Sequence, residues 1–175
     1  FVGPDNEERQ REGCRSWMYQ NSVMLKKNIA QKELEAGQKR LGLLEDELAG
    51  LVKEKDRAQN SIEKTQRNII EDEQAKVGAE GESKIMETTI DAKKQEVATA
   101  PTESNTKELQ TMMKDQEKLK KKAVKLTESI DNGKKKIEDL QFQIKKNLAD
   151  QDGKGKAIES QKKVVEELTT KLAGI

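Results

Sequence analysis

The sequence predicts an all-α fold, a long antiparallel coiled-coil helical hairpin that assembles into a multi-helix bundle, and three observations carry that expectation. Two seven-residue rows run without a slip: Leu34, Leu41, Leu48, Lys55, Ile62, Ile69, Lys76, Ser83, Ile90, Val97, and Leu109, Gln116, Ala123, Ile130, Ile137, Ile144, Gln151, Ile158, Val165, Leu172. Companion rows three residues on, Gly37, Leu44, Leu51, Ala58, Thr65 and Met112, Leu119, Leu126, Gly133, Leu140, supply the second seam position of a heptad. The composition is 38% charged and 32% hydrophobic, with one Trp, one Tyr and two Phe among 175 residues, too little to fill a compact core. A sustained 3.5-residue period separates such a chain from a disordered one of the same composition. Finally, Pro101 falls between the two rows, where it must interrupt a helix.

Residues 1–30 form an N-terminal segment leading into the first helix. Residues 1–4 read as a short extended lead, and Asp5 with Glu8 three positions later reads as a capping box. Gly13 weakens the helix by about 1 kcal/mol relative to Ala. Trp17, Met18, Met24, Leu25 and Ile29 present more apolar surface than a two-stranded seam needs, so this segment is expected to dock onto something broader. Trp17 and Tyr19 beside Cys14 form an aromatic cluster, to be read either as an interface anchor or as a cap on the open end of the bundle.

Residues 31–100 are the first long coiled-coil helix. Its seam turns polar or small at Asp72, Lys76, Ala79 and Ser83, beside Gly78 and Gly81, which predicts a soft or locally melted stretch. Residues 101–105 are a Pro-containing turn, with Asn105 and Glu108 as a cap-like pair for the second long helix, 106–175. So short a link predicts antiparallel neighbours. At about 1.5 Å per residue the hairpin would be about 100 to 120 Å long. A bend centred on residue 102 or 103 gives partner numbers summing to about 205, which sets Glu71, Asp72 and Glu73 near Lys134, Lys135 and Lys136 and the Gly78–Gly81 stretch opposite Leu126. The competing arrangement is a hinge at Pro101 between helices that each pair with other chains. Because Lys55, Lys76, Asp72, Gln116, Gln151, Lys154 and Gln161 occupy seam rows, an isolated two-helix hairpin is expected to be marginal and to recruit further helices.

The residue types exclude several chemistries. Lys plus Arg (34) and Asp plus Glu (33) nearly cancel, so no strong field draws the chain to nucleic acid or to an acidic membrane. No apolar run is long enough to span a bilayer. Histidine is absent and Cys14 is the single cysteine, which removes thiolate–imidazole zinc sites and any intrachain disulfide, while leaving an interchain one open. No Gly-rich phosphate loop and no Ser or Cys with a partnered base is present, so neither an enzyme nor a small-molecule substrate is expected. The string Asp150-Gln-Asp152-Gly153-Lys-Gly155 with Glu159 partly fits a calcium loop, making Asp150, Asp152 and Glu159 weak calcium candidates. Leu148 at its first ligand position and the heptad running through Gln151 and Ile158 argue instead for helix. Lysines 118, 120–122 and 134–136 read as a solvated helix face.

The piece Glu12-Gly13-Cys14-Arg15-Ser16-Trp17, after Glu7-Glu8-Arg9 and before low-aromatic heptads such as Lys125-Leu-Thr-Glu-Ser-Ile130, resembles the ciliate secretory-granule core proteins, the trichocyst matrix and granule lattice family. That resemblance implies a proteolytically matured, calcium-responsive structural subunit packed in a crystalline granule core. A start at Phe1 rather than Met agrees with maturation, whereas the near-neutral charge departs from the acidic character of that family.

The expected function is therefore that of a structural, self-assembling subunit of a filament, lattice or secretory-granule matrix, partnered by itself or by paralogous coiled-coil chains. Its interface residues would be Trp17, Tyr19, Leu34, Leu41, Leu44, Leu48, Ile62, Ile69, Ile130, Ile137, Leu140, Ile144 and Leu168. The alternative is a cytoskeletal or trafficking tether that displays partner sites and stays discrete. No cofactor is expected apart from calcium.

Overall fold

In the computed structural model, which describes residues 4–175 and side chains from Asn6 onward, two helices make up nearly the whole chain. The first, α1, spans Pro4–Thr99 (96 residues), and the second, α2, spans Glu103–Ala173 (71 residues), with no strand among the described residues. They pack against each other as an all-α helical hairpin, so Pro101 is the corner of a hairpin and not a hinge between helices committed to other chains. Pro4, expected in an extended lead, opens α1. Its missing N–H costs nothing there, since the first turn has no acceptor for it. The rest of the lead and the Asp5 half of the capping box lie outside the described residues and side chains.

Burial follows the heptad rows. From Ala30 to Val97 on α1 and from Asn105 to Leu172 on α2, the covered positions keep the alternating three-and-four spacing. Leu34, Leu44, Ile62, Ile69 and Ile130 are buried, and Leu41, Leu48, Ile137, Leu140, Ile144 and Leu168 are half-buried. The stretch expected to melt is continuous helix through Gly78 and Gly81. Ala79 is buried there, and its small side chain keeps the seam closed where larger apolar residues are lacking.

The hairpin divides into two units, Lys55–Lys146 and the residues through Glu54 with Asn147–Ile175. The first contains the turn, which is tighter than expected. Ala100 still donates its N–H to the Glu96 carbonyl at 2.8 Å, and Thr102 caps α2 by accepting the Asn105 N–H on Oγ1 at 3.1 Å. Asn105 is thus a first-turn residue and not the cap. Its side chain ties the corner from both sides, Nδ2 donating to the Ala100 carbonyl at 3.1 Å and Oδ1 accepting from Lys93 Nζ at 3.2 Å. Glu108, expected to complete the cap, pairs with Lys93 instead.

Starting α2 at Glu103 moves the register by about one helical turn from the expected one. Asp72 meets Ser129 at 2.7 Å and Lys93 meets Glu108, so partner numbers sum to 201 and not to about 205. Among the described residues no ion pair joins Glu71, Asp72 or Glu73 to Lys134, Lys135 or Lys136. Ala79 and Ser83 share a groove with Leu119 and Ala123, which replace Leu126 as the firm partners of the weak stretch. Charge still favours this register in bulk: residues 71–91 carry seven acidic and two basic side chains, and residues 114–136 carry nine basic and four acidic. The lysine run of α2 thus lies along the acidic half of α1.

The second unit pairs the other ends of the two helices, with Glu47 on Lys154, Gln161 on Gly37 and Glu33 on Lys171. Here seam polarity is satisfied across the interface. Gln161 Nε2 donates to the Gly37 carbonyl and Asn147 Nδ2 to the Leu51 carbonyl, each at 2.9 Å. In the turn-containing unit Gln116 Nε2 reaches the Ser83 carbonyl at 3.4 Å in the same manner. Of the polar seam residues singled out in the sequence, Gln116 and Gln161 are thus satisfied by backbone carbonyls of the facing helix.

Candidate interface: the unpaired start of α1

α2 stops before α1 does. Ala30, only 2% exposed, is the first buried residue of α1, and of residues 6–29 all but Val23 are exposed. The cover that α2 gives to α1 among the described residues thus begins at Ala30. Continued into this segment, one seam row falls on Lys27, Gln20 and Gly13 and the other on Val23 and Ser16, of which only Val23 is half-buried.

A second stripe takes over. Cys14, Trp17, Met18, Met24, Leu25 and Ile29 recur at the three- and four-residue spacing of one helix face. At 3.6 residues per turn, that face lies about half a turn from the one that carries Ala30 and Leu34 toward α2. All six side chains are exposed, Trp17 to 64% and Leu25 to 61%. Residues 16–25 also form ten consecutive uncharged positions in a chain that is 38% charged, the longest such run in the sequence. Scattered exposed apolar residues need no explanation, but a contiguous stripe with its charges cleared marks an interaction surface.

The expected aromatic cluster is divided by this geometry. Trp17 lies on the exposed stripe, while Tyr19, two residues on and about 200° around the helix, lies on the side of α1 that carries Ala30 and Leu34 and is 73% exposed. Neither caps the open end of the hairpin, because Trp17 lies thirteen residues, about 20 Å, beyond Ala30.

The other candidates are dispersed. The stretch from Leu148 to Glu159 is uninterrupted helix and no loop. Asp150 and Asp152 diverge by about 200° around it. Asp152 pairs with Lys156 at 3.3 Å and Glu159 with Lys162 at 3.8 Å. Among the described residues no group of three or more carboxylates or thiols is placed to hold a metal ion. No helix there is long and apolar enough to cross a membrane.

Lys93 was not singled out by sequence reasoning and is the most perturbed ionisable group. It lies on a seam position, buried at the turn, with Glu96 at 3.2 Å, Glu108 and Asn105 around its amine. Its pKa is raised, chiefly by the hydrogen bond to Glu108, with Glu96 adding to the effect and burial opposing it. A lysine held in its charged form by two carboxylates is a fastener and not a base. The signal was its place on a seam row, three residues after Ile90.

Comparison with known proteins adds nothing to this geometry: no family model matches the chain, and no curated protein and no solved structure matches it.

Proposed function

We propose that the protein is a structural subunit that assembles with copies of itself or with related helical chains through the unpaired start of α1. The observation that carries this reading is the exposed, uncharged stretch 16–25 with its apolar stripe, on the side of α1 opposite the one that α2 packs against at Ala30 and Leu34. A lone helix is marginal in water, and this one contains Trp, Tyr, Asn, Ser and Val, all weaker helix formers than Ala or Leu. Covering it by another helix would stabilise both, at roughly 1.5–3 kcal/mol for each large apolar side chain fully buried.

The reading assigns no reaction. The resemblance to granule core proteins suggests a secretory-granule matrix as the setting and calcium as a modulator of packing. A cytoskeletal or trafficking tether would use the same stripe to hold a different protein.

Size-exclusion chromatography with light scattering, run across protein concentration with calcium or a chelator, separates these. Assembly predicts mass rising with concentration above multiples of the 19.8 kDa chain. A tether predicts a fixed, small species, and that result would overturn the self-assembly reading.

A further inference from the structure

We propose that two copies pair antiparallel through this stripe, residues 7–32 of one lying along residues 32–7 of the other, with Glu7 of each opposite Lys32 of its partner copy; this rests on the self-assembly reading above. A two-fold pair needs a surface that complements itself. The stripe has that property: Glu7 and Lys32 fall on the same face at its two ends, with the uncharged stretch between them. Antiparallel pairing closes both ends with opposite charges, whereas parallel pairing sets Glu7 against Glu7 and Lys32 against Lys32.

The register follows from those ends. Matching Glu7 with Lys32 aligns Cys14 with Leu25 and Met18 with Asn21 of the second copy, the seam-to-seam layering of antiparallel helices. Beside the seam, Trp17 comes to Met24 and Arg15 to Ser22, so apolar side chains meet and no like charges face each other. The stripe faces away from α2 along this part of α1. α2 occupies the opposite side of α1, where Ala30 and Leu34 are buried, and Lys32 is exposed.

Full-length Leu25→Cys and the unaltered protein, treated with a short bis-maleimide, test this. The expected result is a covalent dimer for Leu25→Cys, through Cys14 of one copy and the new thiol of the other, and none for the unaltered chain. In the antiparallel register the two Cys14 residues stand eleven positions apart, about 16 Å along the axis, and the same spacing prevents cross-linking within one helix. Efficient cross-linking of the unaltered protein through Cys14 alone would indicate parallel helices and overturn the proposal.

A charge exchange tests it independently of folding at residue 25. Glu7→Lys should weaken the dimer about 3- to 10-fold at low salt, and adding Lys32→Glu should restore it. Failure of the second change to rescue the first contradicts the pairing. Light scattering of the unaltered protein distinguishes the levels: a monomer at every concentration ends the assembly reading itself, while a dimer that fails both tests ends only the antiparallel arrangement.

Discussion

Asn147 donates its side-chain amide to the carbonyl of Leu51 at 2.9 Å, across the seam between α2 and α1, while its Oδ1 accepts from Gln151 at 2.7 Å. A buried amide that bonds a backbone carbonyl of the facing helix puts a polar side chain into the seam without leaving its donor unpaired. Asn147→Ala is expected to lower stability by about 1–2 kcal/mol in urea unfolding. Asn147→Leu, an apolar side chain of similar size, should recover most of that loss in the same measurement.

Gly133 and the glycines of the acidic half of α1 should respond in opposite directions. A Cβ at Gly133 would stand 2.9 Å from Ile69 Cγ1, whereas at Gly78 and Gly81 it would meet nothing within 4 Å. Gly133→Leu is expected to cost about 1–3 kcal/mol through overpacking. Gly78→Ala and Gly81→Ala should each stabilise by about 1 kcal/mol through helix propensity alone. Thermal unfolding of the three variants checks both signs.

Lys93 makes the turn sensitive to alkali. Its pKa is raised in the folded chain, chiefly by Glu108. The stabilisation it gives is therefore complete below the pKa of an unfolded lysine, about 10.4, and is lost as pH rises through the higher folded value. Stability measured from pH 8 upward should fall at the alkaline end, and Lys93→Met should remove that part of the slope while leaving neutral-pH helicity intact.

Much of this was legible in the sequence, and the reason is physical. A seven-residue period is a statement about which side of a helix is buried, so Leu34, Leu44, Ile62, Ile69 and Ile130 could be assigned to the seam without coordinates. The register was less legible because it depends on where the turn ends. Asn105 looked like a cap, but Thr102 has the same chemistry three residues earlier, and the tighter corner moved the Asp72–Ser129 and Lys93–Glu108 pairings by about a turn. The polar seam residues were visible as exceptions, yet their backbone acceptors, such as the Gly37 and Leu51 carbonyls, have no signature in sequence. The stripe at Trp17 was legible as surplus apolar surface; that it lies opposite the side of α1 buried at Ala30 and Leu34, and is exposed, only the structure shows.

Calcium is expected to act only weakly through Asp150, Asp152 and Glu159, because α2 holds the two aspartates on diverging sides and pairs Asp152 and Glu159 with neighbouring lysines. Asp152→Asn with Glu159→Gln should leave the melting temperature equally insensitive to millimolar calcium. A calcium-induced rise in the unaltered chain that this double variant abolishes would show a site built from those two residues.

Trp17 is the single tryptophan of the chain and lies on the proposed interface, so its fluorescence reports on that surface alone. The most direct measurement is its emission spectrum across protein concentration, taken alongside the mass from light scattering. Self-association through the start of α1 predicts a water-exposed spectrum at high dilution that shifts to shorter wavelength in step with rising mass. Mass that rises while the Trp17 spectrum stays fixed, or no change in either, would contradict assembly through this surface.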